Sequence, residues 1–200
     1  TMKDYIIMTD SCCDLPAVMA EELALRVLPL SVMQEGKEYH NFLDHRELPP
    51  GEFYQKLREG KLGTTSAANA EAFKTAMEEV LQEGKDILCI SFSSALSTTY
   101  QSAVIAAKEL SETHPDSKII VIDSLCASLG QGLLIYLAGK EKAKGKSIDE
   151  VADFVRETIP HLCHWFTVDD LHHLKRGGRV SAAAALFGTM LQMKPVLHVD

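Results

Sequence analysis

The sequence predicts an α/β protein built on a doubly wound, mostly parallel sheet. Short apolar runs alternate along the chain with longer amphipathic stretches, and most of the short runs are apolar throughout rather than at every second position. That rhythm favours strands joined by crossover helices. Strands are predicted at 5–9, 26–32, 86–92, 118–123, 163–168 and 195–199. Helices are predicted at 14–25, 50–59, 70–83, 98–113, 127–144 and 148–159.

Two domains are expected. The helix at 148–159 ends at Pro160, and a new strand then leads into the segment DDLHHLKRGG. We therefore predict an N-terminal α/β domain at residues 2–161 and the beginning of a second α/β domain at residues 162–200.

Charge and composition argue against a polyanionic partner. The chain has 20 Lys and Arg against 28 Asp and Glu, a formal net charge of -8, and 6% aromatic residues. A DNA-binding regulator using KRGGR is therefore disfavoured, as is a single-strand binding protein. No run approaches the ~20 apolar residues of a membrane span, and the first apolar stretch is too short for a secretory signal, so a cytoplasmic protein is expected.

Several common ligand-binding and catalytic motifs are incomplete or absent in this sequence. GKEKAKGKS has five residues between Gly139 and Gly145 where a phosphate-binding P-loop has four. Instead, Gly145 is expected to end one helix, and Ser147 with Glu150 to form a capping box that begins the next. GQG lacks the third glycine of a dinucleotide fingerprint, and no G-x-S-x-G nucleophile elbow occurs.

A metal site among the histidines is also disfavoured. His161, Cys163 and His164 lie close together, with His172 and His173 following. Strand alternation would send Cys163 and His164 to opposite faces, and adjacent histidines on a helix cannot both reach one ion. Packed or solvated histidines are the preferred interpretation, so no metal is expected.

Hydroxyl groups cluster in one predicted loop and after one strand of the predicted sheet. Thr64, Thr65 and Ser66 form a predicted loop before a helix capped by Asn69, and residues 97–99 (Ser-Thr-Thr) begin the helix after the third strand. Ligands of such sheets bind beyond the carboxyl ends of the strands. Hydroxyl donors beside a helix N-terminus suit one negative charge such as a carboxylate, although simple capping by Ser97 is the alternative.

Read together, six blocks resemble the DegV family of bacterial fatty-acid-binding proteins. These blocks are TDSCCDLP, TTSAANAEAF, ISFSSALSTTYQSA, IIVIDSLCASLGQGLL, VDDLHHLKRGGRVS and GTMLQMKPVLHV. The resemblance implies a two-domain carrier that encloses a long-chain fatty acid and presents its carboxylate to a fatty-acid kinase for acyl phosphate formation. It further implies no catalytic activity of the chain itself, no cofactor, and a transient membrane contact for lipid exchange.

The resemblance also assigns residues. It places the carboxylate-binding Thr-Ser pair at Thr65 and Ser66, with Thr65 as donor, and the second donor at Ser97 beside Thr98. It places a Gly-Gly-Arg element at Gly177, Gly178 and Arg179, preceded by Arg176, where the arginine faces the headgroup, its phosphate or the kinase. Asp10, Ser11, Asp123 and Ser124 match positions expected to be scaffold.

The sequence departs from the family in three places. Thr98 replaces a glycine, and Ala67-Ala68-Asn69 replaces Gln-Pro-Ser. Family members continue beyond the Lys194-Pro195 element, so the second domain is expected to be incomplete at residue 200.

An enzyme acting on a small phosphorylated or carboxylated substrate is the alternative. It would use the same hydroxyl-lined edge and the basic cluster. Its acid and base would have to include Asp10 or Asp123, which turn and capping roles explain equally well.

Overall fold

The computed structural model describes residues 3–168, 171–180 and 196–198. The Cα positions divide the chain into two compact units, residues 1–162 and 163–200. Each unit is described by itself.

The elements alternate between strand and helix along most of the chain. The strands are β1 Tyr5–Asp10, β2 Arg26–Leu28, β3 Ser31–Gln34, β4 Lys37–His40, β5 Gly63–Ser66, β6 Asp86–Ser91, β7 Ile119–Asp123, β8 Trp165–Phe166 and β9 Leu197–His198. The α-helices are α1 Ala17–Glu22, α2 Pro50–Arg58, α3 Ala70–Gln82, α4 Thr99–Thr113, α5 Ser128–Ala143, α6 Ile148–Thr158 and α7 Leu171–Arg176. Short 3-10 helices span Ser11–Cys13 and Ile159–His161.

A parallel sheet with the order β2-β1-β6-β7 forms the centre of the first unit, which confirms the predicted α/β class. Successive side chains of β6 point to opposite faces. Ile87 packs with Phe73 of α3 on one face, whereas Leu88 packs with Leu134 of α5 on the other. Helices cover both faces, as the continuous apolar strands predicted.

The prediction of one strand at 26–32 was wrong. The chain forms β2 and β3 in different sheets, with Pro29 between them. Proline lacks the N–H that a continuous strand would donate, and here it separates the two ladders.

A second, antiparallel sheet of order β4-β3-β5 was missed by the sequence analysis. Glu35 and Gly36 form the two-residue turn between β3 and β4, with φ of 52° and 77°. Two successive left-handed residues are typical of a type I′ hairpin turn. The Glu-Gly pair between two short segments, with glycine at a turn position that needs positive φ, is the sequence signal that could have revealed it.

The predicted helices are present with shifted ends. The largest difference is the first helix, predicted at 14–25 and found at Ala17–Glu22. Asp14 adopts a left-handed conformation and closes the 3-10 helix Ser11–Cys13 before Pro16 begins the new one. The two strands of the second unit are likewise shorter than predicted, and residues 195 and 199 of the last one lie outside the described residues.

The capping prediction between α5 and α6 is confirmed. Ser147 Oγ accepts from the Glu150 amide at 3.3 Å, and Glu150 Oε2 accepts from the Ser147 amide at 2.8 Å. Gly145 lies just beyond α5 with φ of 82°. The segment that resembled a P-loop is therefore a helix end followed by a helix start.

No helix among the described residues is long and apolar enough to cross a membrane.

Helix α5 passes unusually close to the Ser11–Cys13 turn. A Cβ on Gly132 would lie 2.5 Å from the Cys13 carbonyl oxygen, closer than real Cβ atoms come to backbone. Glycine at this position therefore allows the helix to pack directly on the backbone that follows β1.

We expect Gly132→Ala to lower the free energy of unfolding by about 1–3 kcal/mol, because backbone rather than a flexible side chain would have to move. Gly51→Ala is the matched control, since this helical glycine of α2 has nothing within 4 Å of the added Cβ. Alanine there should be neutral or stabilise by about 0.5–1 kcal/mol. Urea unfolding of the two variants measures the difference, and equal stabilities would contradict the close approach.

Candidate functional site

A buried carboxylate organises the carboxyl edge of the parallel sheet. Asp10, the last residue of β1, accepts at Oδ2 from the Phe92 amide at 2.8 Å and from Ser91 Oγ at 3.2 Å. Its Oδ1 accepts from the Cys12 amide at 3.1 Å and from Gln131 Nε2 at 3.3 Å. The side chain thus joins two strand ends, a turn and a helix.

The electrostatics of Asp10 follow from this burial. Loss of solvent raises the pKa of the carboxyl above its ordinary value, and the surrounding hydrogen-bond donors act in the opposite direction. All four of these hydrogen bonds are donated to the carboxylate, which is an arrangement suited to holding neighbouring backbone in place.

Asp123 at the end of β7 likewise accepts hydrogen bonds from loop backbone. Its Oδ1 accepts from the amides of Ser94 and Leu125, both at 3.1 Å. Ser124 Oγ accepts from the Cys126 amide at 3.1 Å. These groups shape the loops after β6 and β7, in keeping with the scaffold role expected of them.

The antiparallel sheet is attached at the same edge. Ser11 Oγ accepts from the Leu30 amide at 3.0 Å and from Asn41 Nδ2 at 3.3 Å. The next residue, Ser31, is paired with Ser66 of β5, and paired residues lie about 5 Å apart. The end of β5 therefore lies near the carboxyl edge of the parallel sheet.

Thr64, Thr65 and Ser66 belong to β5, so the predicted loop at this point was wrong. Their hydrogen-bonded pairing with β3 makes them a strand, and all three are exposed. Side chains alternate between faces along a strand, so Thr65 lies on the opposite face from Thr64 and Ser66. The side chains of Thr65 and Ser66 therefore lie on opposite faces of the sheet.

The predicted helix cap downstream is confirmed. Asn69 Oδ1 accepts from the Ala72 amide at 2.8 Å and begins α3. This cap accounts for the asparagine and leaves the hydroxyls of β5 without a capping role.

The hydroxyls after β6 gather at the start of α4. Ser97 Oγ accepts from the Thr99 amide at 3.2 Å and lies 2.8 Å from Thr99 Oγ1. Thr98 is exposed and is the N-cap residue of α4, without a side-chain cap bond. Ser97 thus bonds the first helical amide from one position before the cap, and it is half-buried.

In the second unit, the Gly-Gly-Arg element ends a helix. Gly178 has φ of 75° and donates its amide to Lys175 O at 2.9 Å, while the Arg179 amide donates to Leu174 O at 3.0 Å. These are the two bonds of a Schellman motif after α7. The Arg179 guanidinium also donates to Gly177 O.

This motif gives the basic cluster an intramolecular explanation that the sequence analysis missed. Lys175 and Arg176 occupy the last turn of α7, where cations interact favourably with the negative end of a helix. Basic residues followed by glycine are a helix-stop signal, and that signal was available in the sequence.

No cluster of three or more His, Cys, Asp or Glu side chains within the described ranges could hold a metal ion. Of the cysteines, Cys13, Cys89 and Cys126 are buried, and burial raises the pKa of each thiol, that of Cys13 to about 11. Cys163 is exposed.

The family follows from the sequence as a whole. A family model described as "Uncharacterised protein, DegV family" matches residues 5–200. The chain belongs to the DegV family. A DegV domain-containing protein of Clostridium perfringens is 48% identical over 199 residues, covering 100% of this chain and 68% of that protein.

Solved DegV structures share the fold. A fatty-acid-binding DegV protein from Thermus thermophilus is 35% identical with a TM-score of 0.84, covering 98% of this chain and 68% of that one. DegV of Bacillus subtilis, described as a fatty acid binding protein, is 30% identical with a TM-score of 0.81, covering 100% and 69%. A stearic-acid-binding protein from Eubacterium ventriosum is 27% identical with a TM-score of 0.84, covering 98% and 67%.

In this DegV chain we expect Asp10→Asn to lower the free energy of unfolding by about 1–3 kcal/mol at neutral pH. The amide NH₂ would face donors where a carboxylate oxygen now accepts. Asp116→Asn, an exposed site before β7, is the control and should change little. Thermal or urea unfolding gives both values.

The same pair of proteins tests the pKa of Asp10. A carboxyl whose pKa is raised by folding binds more protons when folded, so its contribution to stability is greatest at low pH and falls as the pH rises above the ordinary 3.8. The stability difference between wild type and Asp10→Asn should therefore shrink from acid pH upward and level off beyond the raised pKa. A difference that grows with pH would contradict this.

For the Schellman motif, we expect Gly178→Ala to speed hydrogen exchange of the Arg179 amide about fivefold or more. Alanine at positive φ costs about 1–2 kcal/mol and weakens the bond to Leu174 O. Gly177→Ala is the control, because the nearest atom to its added Cβ is at an ordinary 3.5 Å. Equal exchange rates in both variants would argue against the motif.

Proposed function

We propose that this chain binds a long-chain fatty acid and holds its carboxylate with the hydroxyls of Thr65 and Ser97. The observation that supports the proposal most directly is the likeness to DegV proteins described as fatty-acid-binding, at 35% and 30% identity. Ser66 and Thr98 are secondary contacts in this proposal. It involves no cofactor and no metal.

The chemistry of the strand ends supports a carboxylate ligand. Thr65 is exposed, and Ser97 is half-buried beside the N-terminus of α4, whose dipole favours negative charge. Burial of a sixteen-carbon chain at about 0.8 kcal/mol per CH₂ is worth on the order of 10 kcal/mol. In this proposal the acyl chain supplies most of the affinity, and the hydroxyls orient the headgroup.

The proposal extends to a two-domain carrier, with residues 2–161 in the first domain and 162–200 in the second, the fatty acid between them. Such a carrier presents the carboxylate to a fatty-acid kinase, which forms the acyl phosphate. Arg179, with Arg176 and the Gly177-Gly178 turn, faces the headgroup, its phosphate or the kinase. The proposed carrier acts in the cytoplasm, with transient membrane contact for lipid exchange.

The geometry of the two edge carboxylates favours a carrier over an enzyme of small substrates. Asp10 accepts four hydrogen bonds, and Asp123 Oδ1 accepts two backbone amides. Both carboxylates are engaged in holding loops, whereas a general acid or base needs access to the reacting proton.

The ligand can be identified directly. We expect organic extraction of the purified chain, followed by mass spectrometry, to release long-chain fatty acids, and added hexadecanoic acid to raise the melting temperature. Hexadecane, which lacks the headgroup, is the control ligand. Neither co-purified acyl chains nor stabilisation by the acid would leave the fatty-acid proposal without support.

We expect Thr65→Ala combined with Ser97→Ala to weaken binding of hexadecanoic acid about tenfold or more, because hydrogen bonds to charged groups are lost. Thr64→Ala is the matched control, since this hydroxyl lies on the opposite face of β5 from Thr65 and, paired with Met33, further from the end of the strand than Ser66. Isothermal titration measures all three. If the double variant binds as tightly as wild type, the two hydroxyls are not the headgroup donors.

A further inference from the structure

The side chain of Thr99 is enclosed at the start of α4. The residue is 0% exposed, and its Oγ1 lies 2.8 Å from Ser97 Oγ. Within the part of the chain that the structure describes, this hydroxyl is hydrogen-bonded to Ser97 Oγ. A buried hydroxyl that donates to nothing costs about 1–3 kcal/mol, so the acceptor must be found nearby.

The 2.8 Å distance alone allows either hydroxyl to donate. A hydroxyl has one hydrogen to donate and two lone pairs. Thr99 is assigned as the donor because its side chain is fully buried and Ser97 Oγ is an acceptor within reach, whereas Ser97 is half-buried. The Thr99 amide donates to the same oxygen at 3.2 Å. Both lone pairs of Ser97 Oγ are then engaged, and its own hydrogen points away from Thr99.

We propose that Thr99 is a positioning residue that fixes the Ser97 hydroxyl as an outward donor for the fatty-acid carboxylate. This inference rests on the proposed function and assigns a role to a residue that does not touch the ligand. Without the Thr99 hydroxyl, the Ser97 hydrogen could rotate toward the space that Thr99 Oγ1 occupies, and the donor would no longer be preset.

The arrangement also selects the form of the headgroup. A fixed donor beside the start of a helix favours an ionised carboxylate over a neutral ester, because hydrogen bonds to charged groups are stronger. Thr99 therefore contributes to discrimination between the free acid and its ester. A role confined to packing would affect both ligands alike.

The test compares hexadecanoic acid with its methyl ester on the purified chain. Thr99→Val keeps the branched shape but removes the hydroxyl, and it should weaken binding of the acid about five- to tenfold while changing ester binding less than twofold. Thr99→Ser restores a hydroxyl and should bind the acid within about twofold of wild type. Thr99→Ala is a second hydroxyl-free variant, and circular dichroism confirms which variants fold.

Combining Thr99→Val with Ser97→Ala tests whether Thr99 acts through the Ser97 hydroxyl. In the Ser97→Ala variant, adding Thr99→Val should have no further effect on acid binding, because the donor that Thr99 positions is already absent. Equal losses for acid and ester, failure of Thr99→Ser to restore acid binding, or additive losses with Ser97→Ala would each overturn the positioning role. Weak acid binding in Ser97→Ala alongside normal binding in Thr99→Val and Thr99→Ala would retain the proposed function and refute this inference. If wild type binds neither ligand, both fail.

Discussion

The carboxylate of Asp10 is the interaction on which the geometry of the candidate site depends. It lies at the end of β1 with no exposed surface, and its desolvation is partly offset by donors from segments up to 121 residues away. Its bond to the Phe92 amide fixes the start of the loop that leads to Ser97. Its bond to the Cys12 amide fixes the turn that contains Ser11, which in turn holds Leu30 at the entry to the second sheet. One buried charge thus links both hydroxyl-bearing segments.

Helix α5 reaches this carboxylate because of the sequence Gly-Gln-Gly at 130–132. Gly132 lets the helix approach the Cys13 carbonyl, and Gln131, fully buried, then donates to Thr9 Oγ1 and Asp10 Oδ1. A dinucleotide fingerprint was excluded for this segment from its spacing alone. The structure explains these residues differently. Gly132 is needed for close packing on the turn, and Gln131 is needed for hydrogen bonds to Thr9 and Asp10.

The parts of the fold that could be predicted are those in which burial requires apolar residues. β6 and β7 are apolar because helices cover both faces, and such continuous apolar runs can be recognised in the sequence. β5 escaped prediction because Gly63–Ser66 is exposed and polar, and only its pairing with β3 makes it a strand. The Gly-Gly-Arg element was interpreted by its charge, whereas its glycines are explained by backbone conformation.

Long-range contacts could not be predicted in this way. The hydrogen bond from the Phe92 amide to Asp10 joins residues 82 positions apart, and it produces no pattern in the sequence near either residue.

Neutral hydroxyl donors have a chemical consequence for the proposed carrier. A bidentate arginine engages both oxygens of a carboxylate at once and partly neutralises its charge. A carboxylate has about four acceptor positions, so two hydroxyl donors leave lone pairs available on each oxygen. In the proposed reaction one of those lone pairs must attack a phosphoryl group. In that proposal, the Thr65 and Ser97 hydroxyls orient the headgroup while leaving it nucleophilic.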